Sequence, residues 1–262
     1  MGVLSALRSA PARFLDALAF FTCLIPARMF SGSRLSACMP WFVPSGLFVG
    51  AVTTTAAVAA HALLTLSGHG SVAAALGAGF IWVACEVLVS RALHWDGLAD
   101  LADATGSGKE GEAFWGVMKD SRVGALGAMA LIVVFAGQCV GATLQADAGH
   151  WTLLILAPAW ARGMAALTLC LAAPRDAGSL GGKMAQGATP ATTWLTAALL
   201  AVILLVAPTL GATRPGAALL VALTAGMMLL IRRVARRQGG INGDFAGAVI
   251  EISQLLFLVA CA

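Results

Sequence analysis

The chain has 262 residues, 60% of them hydrophobic and 11% charged, with a mean hydropathy of +0.89. Soluble domains average about 25% charged residues, so this composition excludes a soluble enzyme and describes a polytopic membrane protein. The formal charge of +4 fits loops that set orientation in a bilayer better than a nucleic-acid surface, and no nucleic-acid partner is expected.

In chain order, the first apolar stretch runs from Phe14 to Ile25, is short and carries Asp16. With Arg8 and Arg13 ahead of it, it has the outline of a signal-peptide core. No small-residue cleavage site follows before Arg28, however, so a short N-terminal interfacial or re-entrant helix is the better reading. Seven stretches then approach the roughly 20 apolar residues that a span requires: roughly 41–66, 71–93, 123–144, 151–173, 191–211, 215–234 and 245–262. The expected fold is all-α, a helical bundle of about seven transmembrane helices forming one domain over 1–262. The loops at 1–40, 91–122, 174–190 and 232–244 hold four, four, two and four of the sixteen Lys and Arg. The alternate loops hold Arg214, and Arg162 lies within a span. This alternation places the N-terminus in the cytoplasm and the C-terminus outside. The six cysteines show no CxxC and no His pairing, and read as small packing residues.

Three aspartates follow the second span in His94-Trp95-Asp96-Gly97-Leu98-Ala99-Asp100-Leu101-Ala102-Asp103. At i, i+4 and i+7 they fall within roughly 60° of a helix, presenting hard oxygen ligands suited to Mg²⁺, or to Mn²⁺ as a substitute. Asp120, in Met118-Lys119-Asp120-Ser121-Arg122-Val123-Gly124, is a fourth candidate ligand. Lys119 and Arg122 beside it suit phosphate oxygens, with Ser121 as a further contact. Gly106, Gly108 and Gly124 would let backbone approach a phosphate. Carboxylates, cations and glycines together make a metal-and-diphosphate site in which Asp96, Asp100, Asp103 and Asp120 hold the ion. His94 reads as a general base, a ligand, a phosphate contact or a polar helix-end residue.

A second constellation is Asn242-Gly243-Asp244-Phe245-Ala246-Gly247-Ala248-Val249-Ile250-Glu251. Asp244 and Glu251 share a helical face; Asp244 is either a helix cap or a site residue, and Glu251 is an intramembrane acid of the kind that marks function. Arg232, Arg233, Arg236 and Arg237 either orient the chain or draw in an anionic substrate. Glu86 lies ten residues before Asp96, about 15 Å deeper on a continuous helix. Arg162 either pairs with Glu86 or reaches toward the phosphates.

These motifs resemble those of the cobalamin synthase family, the adenosylcobinamide-GDP ribazoletransferases. His94 to Asp103 is similar to its H-x-D-G-L-A-D-x-x-D, and Met118 to Gly124 to its M-x-D-S-R-x-G. Ala161-Arg162-Gly163 resembles its S/A-R-G, and Gly243 to Glu251 its G-D-x-x-G-A-x-x-E. Phe20 to Pro26 sits where the family has an F-x-T-R-x-P-like start, with Cys23 in place of Arg. The resemblance implies a Mg²⁺-dependent enzyme of the bacterial cytoplasmic (inner) membrane, its active site facing the cytoplasm. It would join adenosylcobinamide-GDP to α-ribazole or α-ribazole 5′-phosphate, releasing GMP. Asn242, Asp244, Glu251, Arg162, Lys119, Ser121 and Arg122 would then bind substrate. The lipid bilayer is a further partner, and a homo-oligomer is compatible with the sequence. A weaker likeness to the CDP-alcohol phosphotransferases rests on Asp100-x2-Asp103 and Gly116-x3-Asp120, without that family's Ala-Arg and fourth Asp. A cation-coupled transporter with a midplane acidic site is the alternative from another class.

Overall fold

A computed structural model describes residues 3–26 and 32–262, with side chains from residue 10 onward. Arg28 and the Arg8 side chain lie outside the described residues. The architecture is helical: α1 (Val3–Phe21), α2 (Gly32–Ser36), α3 (Phe42–Leu66), α4 (Ser71–Ser90), α5 (Leu93–Gly106) and α6 (Glu112–Met118), then α7 (Ala125–Asp147), α8 (Trp151–Leu171), α9 (Leu180–Ala185), α10 (Pro190–Val206), α11 (Arg214–Gln238) and α12 (Gly243–Ala260). The helices long and apolar enough to cross a membrane number seven among the described residues, namely α3, α4, α7, α8, α10, α11 and α12. They coincide with the seven expected spans.

Water does not drive helices together inside lipid, so close packing needs small residues at the crossings. Gly46 and Gly50 of α3 lie so close to α8 that an added Cβ would stand 2.4 Å from Pro158 O and 2.3 Å from Ile155 O. Gly79 does the same for α4 against α7, and Gly141 for α7 against α12. The spans of α8 and α12 are 78% and 61% buried, against 22% for α10 and α11, so α8 and α12 form the centre of the bundle.

α1 begins well before the expected stretch at 14–25 and ends at Phe21. Ala17, Leu18 and Phe21 are buried in the protein. Arg34 of α2 donates two hydrogen bonds of 3.0 Å to the buried Asp16 carboxylate, joining the two elements.

The second expected span differs from the structure in one respect. The helix does not run on to the aspartates: Arg91 and Ala92 both adopt a left-handed φ of 55°, which ends α4 and starts α5 in a new direction. The depth of about 15 Å that a continuous helix would give Glu86 therefore does not hold.

Among the described residues the basic loops meet at one end of the bundle, the first joining the third where Gly187 lies against Ser36 O. Trp115 of α6 donates to Gln238 O at 2.9 Å, the Arg175 guanidinium lies 4.6 Å over the Trp115 ring, and Arg175 N donates to Ile241 O at 2.9 Å. Arg175 also pairs with Glu112. Gly239 and Gly240, at φ +74° and +141°, supply the positive φ that turns the chain from α11 into α12. At the opposite end Gly211 closes on His150, and Gly216 lies against Ala260 O. The loop parity inferred from Lys and Arg is thus the parity of the fold.

Candidate active site at the crossing of α5 and α12

α5 and α12 cross antiparallel, and two glycines set their separation. A Cβ on Gly97 would meet the Asp244 backbone at 2.7 Å; one on Gly247 would meet the His94 backbone at 3.2 Å. This register lays Asp96 and Asp100 beside Asp244 and, further into the bundle, His94 beside Glu251. Asp244 and Glu251 do share the face that the i, i+7 spacing predicts.

Asp100 sits in concentrated negative charge. Partial burial first, then the charges of Asp96, Asp244 and Asp103, push its carboxyl up to about 6. Neither the Asp96 nor the Asp100 carboxylate has a hydrogen-bond partner among the described residues. Asp244 accepts a 2.6 Å hydrogen bond from the Asn242 amide. Asn242, and not Asp244, caps α12, its Oδ1 accepting from Phe245 N at 3.3 Å.

Two of the four expected metal ligands are differently engaged. The Asp103 carboxylate accepts from Gly124 N at 2.7 Å and Gly127 N at 2.8 Å. It thereby satisfies, from another helix, two of the orphan donors at the start of α7. A Cβ on Gly124 would stand 2.5 Å from the Asp103 carboxylate, so the glycine permits this close approach. Asp120 forms a fork with Arg122 at 2.9 and 2.7 Å in an exposed loop, and the guanidinium holds the carboxyl down at about 2. Lys119, Ser121 and Arg122 lie in this loop at the protein surface.

We expect Asp103→Ala to cost about 1–2 kcal/mol by uncapping α7, read as a lower melting temperature in detergent, while the divalent-cation dependence of activity stays unchanged. A shift in that dependence would return Asp103 to the ion.

Among the described residues no three His, Cys, Asp or Glu side chains by themselves make a group that could hold a metal ion. That is the ordinary condition of a Mg²⁺ site, which takes one or two carboxylates and completes its octahedron with water and substrate phosphate. Hard, mutually repelling carboxylates fit such an ion, and one or two of Asp96, Asp100 and Asp244 would hold it.

Below the acids lies a buried polar chain. Arg162 is fully buried, with Nη2 3.5 Å from Glu86 Oε2, Nη1 donating to Pro158 O at 3.4 Å and the guanidinium 5.9 Å over the Phe21 ring. Of the two readings of Arg162, the Glu86 pair is the one present. Glu251 Oε2 accepts from Gln138 Nε2 at 2.9 Å, its Oε1 faces His94 Nδ1 at 3.6 Å, and Gln254 donates to Gln138 at 3.1 Å. Gln138 and Gln254 escape sequence reasoning, although an amide inside an apolar span is a signal of the same kind as Glu251.

Residues 13–262 match the model of a family described as cobalamin-5-phosphate synthase. An adenosylcobinamide-GDP ribazoletransferase of Nitratidesulfovibrio vulgaris is 36% identical, covering 94% of this chain and 95% of its own. One from Rhizobium etli is 35% identical over 94% of each chain, and one from Chlorobium phaeobacteroides is 29% identical over 90% of this chain and 92% of its own. No solved structure matches at a significant level.

Proposed function

The chain belongs to the cobalamin-5-phosphate synthase family, and from that premise we propose that it joins adenosylcobinamide-GDP to α-ribazole or its 5′-phosphate, releasing GMP, with Mg²⁺ at the cytoplasmic face of the inner membrane. The observation that carries this reading is the α5–α12 crossing, which gathers Asp96, Asp100 and Asp244 at the end of the bundle where the basic loops meet.

A ribose hydroxyl oxygen attacks the phosphorus nearer cobinamide. The bond from that phosphorus to the GMP phosphate oxygen breaks in line, and GMP leaves with the electron pair. The attacking hydroxyl must lose its proton, and His94 is suited to take it. Its ring is buried and neither nitrogen has a hydrogen-bond partner among the described residues, so one is free to accept. Glu251, held by Gln138, faces the other nitrogen and favours the imidazolium that results. One or two of Asp96, Asp100 and Asp244 would hold Mg²⁺, which offsets charge on the diphosphate and on departing GMP. Lys119 and Arg122 would supply positive charge and Ser121 a hydroxyl to the nucleotide phosphates, Arg122 exchanging Asp120 for phosphate as substrate arrives.

The test is turnover by purified protein in detergent. Mg²⁺-dependent GMP release requiring both substrates supports the assignment. CMP release from a CDP-alcohol, or ion-coupled uptake into vesicles without GMP release, contradicts it.

The raised Asp100 carboxyl ties stability to pH. A carboxyl whose folded value is raised, here from 3.8 to about 6, holds its proton more tightly folded than unfolded. Its contribution to stability is present below the unfolded value and is lost as pH rises through about 6. Divalent ions reverse that loss by binding the ionised form. The rise in melting temperature on adding Mg²⁺ is therefore expected to be larger at about pH 7.5 than at about pH 5, where Asp100 is protonated. An equal rise at both values would contradict this assignment.

A further inference from the structure

A cavity of about 280 Å³ opens beside the acidic cluster. Phe21, Phe42, Met184 and Ala246 give it apolar walls, and Ser179, Asn242, His94 and Asp244 bring it polar groups. The walls come from α1, α3, α9 and α12, elements far apart in sequence. His94 is 3% exposed; its Nε2 lacks a hydrogen-bond partner among the described residues, and its Nδ1 has only Glu251 Oε1 opposite it at 3.6 Å. A buried imidazole left in this state at the wall of a cavity points to a polar group supplied from outside the chain.

Size and polarity select the occupant, granted the reaction proposed above. At about 280 Å³ the cavity lies just under the roughly 300–1,000 Å³ of small-molecule pockets, a size for a nucleoside and too small for a corrinoid ring. Guanosine diphosphate is a poorer match: its phosphates are charged, and no Lys or Arg is among the residues that line the cavity. The acceptor nucleoside carries a flat dimethylated benzimidazole, apolar over both faces and along its outer edge, with its hydroxyls confined to the sugar. Aromatic and thioether side chains are good partners for such a ring.

We propose that this cavity is the acceptor subsite: the benzimidazole base packs between Phe21, Phe42 and Met184, and the ribose is directed to His94 and Asp244. Base selection is then a property of α1, α3 and α9, separate from the acids that carry the chemistry. Placing the base in the cavity also sets the hydroxyl between the open imidazole nitrogen of His94 and the carboxylates, where the diphosphate must come.

The test uses purified full-length protein in detergent. α-Ribazole binding is measured alone by equilibrium dialysis, and KM is measured for each substrate separately. Ala246→Leu adds a branched side chain to the cavity, and overpacking of this kind is expected to weaken α-ribazole binding and raise its KM about tenfold or more. The KM for adenosylcobinamide-GDP should stay within about twofold, since none of these contacts involves it. Met184→Ala, which removes a wall without adding bulk, should also weaken α-ribazole and spare the donor, and it carries the test if Ala246→Leu does not fold. An adenine riboside, with its polar edge, should compete at least about tenfold less well than α-ribazole. Unchanged α-ribazole binding in both variants would overturn the proposal and leave the cavity to a lipid chain. A rise in donor KM with α-ribazole unaffected would overturn it in favour of the donor. Wild-type protein that binds α-ribazole in this way but releases no GMP would refute the proposed reaction and leave the subsite standing.

Discussion

Asp100→Asn is expected to abolish GMP release while leaving the bundle inserted and folded. The side chain is isosteric, has no hydrogen-bond partner to lose among the described residues, and sits where Asp96, Asp244 and Asp103 already oppose its charge. Without a divalent ion, neutralising it relieves repulsion, so melting temperature should hold or rise slightly. With substrate bound, a hard ligand to the ion on the diphosphate is gone. Loss of one preorganised electrostatic group from such a site lowers turnover by about 10²–10³-fold, and loss of a ligand acts in the same direction. The measurement pairs GMP release with a melting curve in detergent. Near-wild-type turnover would remove Asp100 from the metal site.

Glu86→Gln should act on stability and not on chemistry. It leaves the Arg162 guanidinium, with no exposed surface, opposite a neutral amide. Removing one partner of a buried ion pair costs about 3–5 kcal/mol because the other charge is left uncompensated. Arg162 has no reserve of partners, since its Nε and Nη2 make no hydrogen bond among the described residues. The double variant Glu86→Gln, Arg162→Met removes both charges and should recover most of the loss, as apolar replacements of buried pairs often do. Thermal melts of the single and double variants against wild type check this. A stable, folded Glu86→Gln protein without turnover would instead place the pair in the reaction.

The spans were legible because each had to satisfy a single requirement, about 20 apolar residues with its backbone bonded internally. Relative sidedness was legible because Lys and Arg record it. The break between α4 and α5 was not: Arg91 and Ala92 take left-handed φ without the glycine that usually announces it. The role of Asp103 was hidden for a different reason. Its spacing from Asp100 is correct for a shared ligand set, but the donors it satisfies begin twenty-one residues later at Gly124 and meet it only once α5 packs on α7. Asp244 shows the converse. In sequence it belongs to the last helix with Glu251; in space Gly97 and Gly247 let it complete the acidic pair on α5. Helical spacing gives which residues share a face, whereas the neighbour of that face is fixed by tertiary packing. The cavity walls were the least visible, being single phenylalanines and one methionine from separate elements that resemble any other core residues.

Mn²⁺ electron paramagnetic resonance tests the central claim most directly, with Mn²⁺ replacing Mg²⁺ and a methylene-bridged diphosphate analogue of adenosylcobinamide-GDP bound. Wild-type protein should hold Mn²⁺ with resolved coupling to phosphorus. Asp100→Asn and Asp244→Asn should each lose that signal, while Asp120→Asn keeps it. Undiminished coupling in both Asp100→Asn and Asp244→Asn, or its loss in Asp120→Asn alone, would contradict an ion held where α5 crosses α12.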